Sequence, residues 1–245
     1  MEAELHDVFW EHSGSPEWGW IERLVRAHPG RALEVGSGTG RILVPLVAQG
    51  HRVEGLEPSA DMRRGCLDAA AKHGCEPLIH ASDIEQFEPQ GRYDVLLVPA
   101  FTLQLCADME AGLRRVASWL APGGRLYFTL FQPFAELAGE LVEGEWYLDQ
   151  EVTLADGDVA RVHTRYWLDR VGQTLRREHR YEWERAGGIR THVSRQVVRW
   201  IEWSQLDALL DECGLIVEWA AGDFDESEQI GEDTQILTAV VIKSP

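Results

Sequence analysis

The sequence predicts an α/β fold: a mostly parallel sheet with helices on both faces, interrupted by an antiparallel β insertion. Three observations carry that expectation. The first half alternates short apolar runs with amphipathic stretches, the β-α-β-α order of a parallel sheet. The run Tyr93-Asp94-Val95-Leu96-Leu97-Val98 is almost continuously apolar, as in a strand covered on both faces. From Glu145 to Trp203 the period changes to two, with His179, Tyr181 and Trp183 set against Arg180, Glu182 and Glu184, so one sheet face is covered and the other wet.

Each element follows from local signals. Trp20 to His28 reads as a helix with Ile21, Leu24 and Val25 on one face, ended by Pro29 and Gly30. Arg31 to Val35 is a short strand running into glycines. Arg41 to Gln49 is helical and closed by Gly50, with Pro45 near the first turn, where a missing N–H costs least. His51 to Glu57 is a second strand, Ala60 to His73 a second helix, and Pro77 to Ala81 a third strand ending at Ser82-Asp83. Met109, Leu113, Val116 and Leu120 recur at helical spacing. Ala121-Pro122-Gly123-Gly124 then breaks the chain before a fifth strand, Arg125 to Phe131. The insertion offers strands at Trp146 to Leu154, Val159 to Leu168, Leu175 to Glu184 and Thr191 to Ile201. Its turns fall at Asp156-Gly157-Asp158, Arg170 to Gln173 and Ala186-Gly187-Gly188. Ser204 is expected to cap a helix carrying Leu206, Leu209, Leu210 and Cys213, which Gly214 ends. Leu215 to Ala220 and Gln235 to Lys243 are the last strands. The expected plan is an N-terminal helical segment (1–30), an α/β domain (31–135 and 204–245) and the insertion (136–203).

Composition narrows the function. The 245 residues, 44% of them hydrophobic, suit one domain with an embellishment. Lys and Arg number 23 against 41 Asp and Glu, a formal net charge of −18. Such a field repels phosphate backbones and anionic lipid, so nucleic-acid and membrane partners are not expected. No apolar stretch approaches the ~18 residues needed to span a bilayer, and the acidic Met1 to Asp7 lacks the order of a signal peptide. A cytoplasmic protein is expected. Cys66, Cys75, Cys106 and Cys213 form no CxxC pair, so no metal site is expected. Five of the ten tryptophans fall between Trp146 and Trp203, much aromatic surface to bury or to offer a ligand.

The turn after the first strand is Glu34-Val35-Gly36-Ser37-Gly38-Thr39-Gly40. Glycines there let the backbone turn tightly and let a ligand approach with no Cβ in the way. N–H groups at a helix start favour a carboxylate or phosphate. Dinucleotide binders want a third glycine where Arg41 stands, which counts against an NAD(P)-dependent oxidoreductase without removing it. Glu57 ends the second strand, where ligands of such sheets sit, and a carboxylate there can accept two hydrogen bonds from a ribose diol. Asp83 ends the third strand and can accept from an adenine amino group, with Ile84 offering its amide; the plainer reading is a turn aspartate. Met62 and Leu56 either flank the adenine or pack in the core.

The stretch Leu33-Glu34-Val35-Gly36-Ser37-Gly38-Thr39-Gly40-Arg41, then Gly55-Leu56-Glu57-Pro58-Ser59-Ala60-Asp61-Met62, resembles the first two motifs of class I S-adenosylmethionine-dependent methyltransferases. Ala81-Ser82-Asp83 resembles the third motif, and Tyr93-Asp94-Val95 through Pro99-Ala100-Phe101 the fourth. Leu120-Ala121-Pro122-Gly123-Gly124-Arg125 resembles the turn before strand five. The resemblance covers Ala32 to Phe131 and resumes weakly in the last helix and strands. It implies a Rossmann-like seven-stranded sheet in the order 3-2-1-4-5-7-6, its seventh strand antiparallel, and S-adenosylmethionine as cofactor. Carried over by position, Glu34 and the backbone of Gly36, Ser37, Gly38 and Gly40 would hold the methionine part. Glu57, in place of the commoner aspartate, would bind the ribose, with Pro58 and Met62 in the same motif. Asp83 and Ile84 would bind adenine, and Pro99 and Ala100 would lie beneath the sulfonium. An N-terminal aromatic often closes the site in this family; Trp10, Trp18 and Trp20 are candidates.

Methyl transfer from a sulfonium is an in-line displacement with a neutral leaving group, so the cofactor motifs predict the reaction but not the acceptor. An Asn-Pro-Pro-Tyr stretch of the kind that selects nucleic-acid amino groups is absent. In related small-molecule enzymes an inserted antiparallel sheet forms part of the acceptor pocket or a dimer surface. A small-molecule acceptor is therefore expected, and a homodimer is possible. His163, Tyr166, Trp167, His179, Tyr181, Trp183 and His192 lie in the insertion; a histidine there is a base or a satisfied sheet-face residue. Arg161, Arg165, Arg177 and Arg180 either bind an anionic substrate or make alternating charge on a wet face. A protein that binds the cofactor without transferring from it is the remaining alternative.

Overall fold

The computed structural model describes Phe9 and residues 16–154, 157–185, 188–227, 230–231 and 234–244. In chain order the elements are α1 (Trp18–Ala27), β1 (Ala32–Val35), α2 (Leu43–Ala48), β2 (Val53–Leu56), α3 (Ala60–His73), β3 (Ile79–His80) and β4 (Tyr93–Val98). A 3-10 turn (Thr102–Leu105), α4 (Met109–Trp119), β5 (Leu120–Phe131) and α5 (Phe134–Ala138) follow. Then come β6 (Tyr147–Thr153), β7 (Val159–Asp169), β8 (Thr174–Arg185), β9 (Gly188–Arg199), α6 (Trp203–Glu212), β10 (Leu215–Gly222) and β11 (Ile236–Lys243). By contact the chain divides into an α/β unit, Pro16–Gln132 with Ile201–Pro245, and an antiparallel unit, Met1–Ser15 with Pro133–Trp200. Residues 16–30, read from sequence as part of a separate segment, thus belong with the α/β unit.

Among the described residues the α/β unit has seven strands in the order β3-β2-β1-β4-β5-β11-β10. The first five are parallel neighbours, and β11 runs antiparallel to both β5 and β10. Counting strands within this unit, that is the expected 3-2-1-4-5-7-6. Alternate side chains feed two cores, as the pleat demands. Leu33, Val35, Leu96, Val98, Leu126 and Phe128 face α4 and α6. Ala32, Val95, Leu97 and Tyr127 face α1, α2 and α3. Local chemistry sets the helix limits. The Ser59 hydroxyl caps α3 by accepting from Met62 N–H, and Gly74 ends it at φ 67°. Asp108 caps α4 through Ala111 N–H at 2.9 Å.

Three expectations need correction. The cap of α6 is Glu202 rather than Ser204, and its N–H donates to Gln205 Oε1 at 3.0 Å, so the reciprocal partner three residues on decides the start. Ala121 to Gly124 does not break the chain before strand five. It lies inside β5 as a register shift, Tyr93 pairing with Leu120 and Val95 with Arg125, with Gly123 at φ 74° taking the bend. The third strand is only Ile79–His80, so Asp83 stands beyond it.

Half-buried polar ties join the sheet. Glu54 on β2 accepts from Arg31 Nε at 2.6 Å, His80 Nε2 at 2.8 Å and the Tyr93 hydroxyl at 3.0 Å. Burial raises its carboxyl, but hydrogen bonds from Arg31, His80 and Tyr93 outweigh burial and hold it below the usual carboxylate range. A folded value below the unfolded one gives stability that is present above the unfolded pKa of about 4.3 and lost as pH falls through the folded value. Glu54→Gln should therefore melt below the parent at neutral pH, with the gap narrowing at about pH 3. An equal gap at both pH values in thermal denaturation would contradict this.

The antiparallel unit pairs β6-β7-β8-β9 in simple succession. Val152, Ala160 and Val162 gather with Phe9, Leu154 and Tyr181 on one face. The other face is a charge ladder: Arg161 meets Glu151 and Glu184, Arg165 meets Glu178, and Arg180 meets Glu182. Arg177 pairs with the buried Glu136 at 2.9 Å. All four arginines considered as anion ligands are thus engaged by acids within their own unit. Thr164 Oγ1 lies 2.7 Å from Asp149 Oδ2 and 2.8 Å from His179 Nδ1. With the hydroxyl donating to the carboxylate, Nδ1–H donates to Thr164. Among the described residues no helix is long and apolar enough to cross a membrane, and no cluster of three metal-ligating side chains occurs.

Candidate functional site

The sequence-predicted residues Glu34, Gly36, Ser37, Gly38, Gly40, Glu57, Pro99 and Ala100 gather around the carboxyl ends of β1, β2 and β4. Leu56 O accepts from Gly36 N at 2.8 Å and Ser37 N at 3.1 Å, folding the turn against β2. Gly36, Gly38 and Gly40 take φ 74°, 54° and 88°, a region L side chains avoid. Steric demand differs between them. A Cβ at Gly36 would lie 2.6 Å from Thr102 Cγ2 and one at Gly40 2.5 Å from Cys66 Sγ, whereas one at Gly38 meets nothing nearer than 4.0 Å. The first and last glycines serve packing, and the middle one faces open space. Helix α2 begins at Leu43 rather than at Arg41, so the turn is longer than the sequence suggested.

Glu57 is 7% exposed and bridges the turn to α3. Its Oε2 accepts from Gly38 N at 3.0 Å and its Oε1 from Ser59 N at 2.8 Å. A carboxylate has about four lone-pair sites, so about two remain for hydroxyl donors. Arg63 Nη1 donates to the carbonyls of Glu57 and Pro58, each at 2.7 Å, and fixes this corner. Pro58 is exposed and Met62 half-buried beside it. Glu34 is 3% exposed. Burial pushes its carboxyl well above the usual range; Arg41 opposes that shift, and Glu17 and Glu57 reinforce it. Its Oε2 is buried with no hydrogen-bond partner, as is Ser37 Oγ.

Asp83 is half-buried, and both its oxygens serve Gln86, Oδ1 accepting from the backbone N–H at 2.8 Å and Oδ2 from Nε2 at 3.1 Å. The turn role weighed from the sequence is therefore present. Ile84 is buried, and its carbonyl accepts from Arg115 Nε at 2.8 Å. At the end of β4, Pro99 is buried, and Ala100 and Phe101 take φ 52° and 61° in succession. Two neighbouring non-glycine residues at positive φ are costly, and such strain clusters at functional sites. Trp20 packs edge-on to Trp219 at 4.9 Å and near Phe224. Trp18 rests on the α1-side core, and Trp10 lies outside the described residues.

The family model described as a methyltransferase domain matches residues 18–215. The chain belongs to that family. The chain is 29% identical over 119 residues to a ubiquinone biosynthesis O-methyltransferase of Bradyrhizobium sp., covering 48% of this chain and 47% of that protein. The chain thus spans about half the length of the curated relatives it matches. An S-adenosylmethionine-dependent methyltransferase from Clostridium acetobutylicum shares the fold at a TM-score of 0.81 and 12% identity, over 99% of this chain and 98% of that one. A SAM-bound amino pentose methyltransferase from Micromonospora echinaspora matches at 0.71 and 22% identity, over 98% and 96%. All three are methyltransferases, and the oxidoreductase alternative gains no support from them.

The motifs of this methyltransferase domain do not contain every residue at the site. Glu17, Thr102 and Thr129 also line these strand ends. Thr102 backs Gly36, and Thr129 Oγ1 accepts from Phe101 N at 3.3 Å. No local signal marks them, because their contacts join distant parts of the chain.

Proposed function

We propose that the chain transfers the methyl group of S-adenosylmethionine to a small molecule in the cytoplasm. The observation that carries this reading is Glu57, locked by two backbone N–H groups at the edge of β2 and still able to accept from a vicinal diol. The buried, unpartnered Glu34 Oε2 and the open space over Gly38 fit a polar ligand tail laid across the turn.

On this reading Glu34 and the backbone of Gly36, Ser37, Gly38 and Gly40 hold the methionine part, and Glu57 binds the ribose, with Pro58, Leu56 and Met62 beside it. Asp83 and Ile84 bind adenine through the bonding capacity that Gln86 leaves, and Pro99 and Ala100 support the sulfonium. The bound cofactor supplies a methyl carbon on an already activated leaving group. The chain's contribution is to hold that carbon in line with the acceptor and to exclude water. The net charge of −18 argues against nucleic-acid acceptors. An amine acceptor has support from the likeness to the amino pentose methyltransferase, and a hydroxyl acceptor from the likeness to the O-methyltransferase. The four cysteines are free, as suits a reducing compartment.

S-adenosylhomocysteine should raise the melting temperature, by about 2.7 kcal/mol of added stability at one hundred times its Kd, and NAD should not. With labelled cofactor, methyl transfer should go to members of a panel of small amines and alcohols. Transfer to RNA or protein alone would overturn the acceptor class.

A further inference from the structure

Glu17 is the N-cap residue of α1, yet its side chain makes no capping bond to its own helix. It turns onto the sheet instead and is 1% exposed. Oε1 accepts from Ala100 N–H at 3.4 Å, the Tyr127 hydroxyl at 3.3 Å and the Thr129 hydroxyl at 3.4 Å. Oε2 faces Arg41 Nη2 at 3.3 Å. A buried carboxylate is costly unless it is firmly held, and charge-assisted bonds normally measure about 2.7–2.9 Å. All four contacts are longer than that. Glu34 shares these surroundings: its charge feels Arg41 and Glu17, and its Oε2 has no partner. Two buried acids therefore share the Arg41 guanidinium: with Glu34 protonated, as its burial favours, the set is balanced, and a bound cation would let both acids ionise.

We propose that Glu17, with Glu34 beside it, receives the ammonium of the methyl donor's amino-acid end. The inference rests on the S-adenosylmethionine reading above. Its geometry is independent of the sequence motifs, because Glu17 lies upstream of all of them. It touches the site at both flanks: Ala100, where the chain leaves β4, and Arg41, directly after the glycine turn. The competing account is a latch, in which Glu17 only pins α1 to β5. The two accounts differ in what a missing ligand amino group does.

The experiment is a calorimetric cycle with two proteins and two ligands. Wild type and Glu17→Gln, which keeps the side chain's size, are each titrated with S-adenosylhomocysteine and with its deamino analogue. Wild type should bind the analogue about 10- to 100-fold more weakly. Glu17→Gln should bind S-adenosylhomocysteine weakly by a similar factor and show at most a few-fold gap between the ligands. A full gap retained in Glu17→Gln makes Glu17 a latch and overturns the inference alone. Wild type failing to bind S-adenosylhomocysteine removes the cofactor reading and this inference with it. Glu17→Asp, which keeps the charge and shortens the reach, is titrated alongside: it should narrow the gap between the ligands part-way, and where Glu17→Gln does not fold a full gap in Glu17→Asp overturns the inference.

Discussion

Glu57→Ala is expected to abolish the thermal stabilisation by S-adenosylhomocysteine and to weaken its binding at least about 100-fold, since two hydrogen bonds to a charged group are lost at about 1.5–3 kcal/mol each. The variant should also be less stable without ligand. Gly38 N and Ser59 N both donate to that carboxylate, and the variant loses both of these bonds to a charged group. Glu57→Asp separates the two effects. It keeps the charge but shortens the reach, so it should retain part of the affinity while still loosening the turn. Calorimetry and thermal denaturation on the three proteins read both quantities. An alanine variant that binds like wild type would show that the ribose lies elsewhere.

The second large effect concerns the glycines. Gly40→Ala should destabilise by about 2–4 kcal/mol, combining a left-handed backbone with overpacking. The new methyl would stand 2.5 Å from Cys66 Sγ and 2.6 Å from Val44 Cγ2, both buried. In a chain of this size that is a drop in melting temperature of about 5–15 °C. Gly38→Ala should behave differently. Its φ of 54° costs about 1–2 kcal/mol, but its Cβ has room. Its main defect should be in binding, because the methyl enters the space that the cofactor needs. Comparing melting temperature with S-adenosylhomocysteine affinity in both variants tests the division, and the opposite pattern would refute it.

Much of this fold was legible because its signals are local. A strand ending in three glycines of positive φ announces its turn within seven residues, and the period-two stretch around Tyr181 announces its sheet. The sheet order came through the resemblance of ordered motifs, which local periodicity alone does not give. What escaped is long-range. Glu17 reads as one more acid near a helix start, and only the closure of α1 onto β5, more than a hundred residues on, turns it inward. The strand-five turn reads as a break because Pro122 and two glycines dominate it, yet pairing to β4 resumes after the shift. Asp83 illustrates a limit of a different kind. Turn capping and ligand binding ask for the same residue type in the same place, and here the side chain engages Gln86.

The placement of β11 bears on how the molecule is made. The last strand of the fold lies between β5 and β10, so the N–H and C=O groups on the side of β5 away from β4 have no partner until that strand leaves the ribosome. Throughout translation of the antiparallel unit, a growing chain carries an open sheet edge along Arg125–Phe131. Synthesis of β11, rather than of the half that carries the glycine turn, is what seals the sheet.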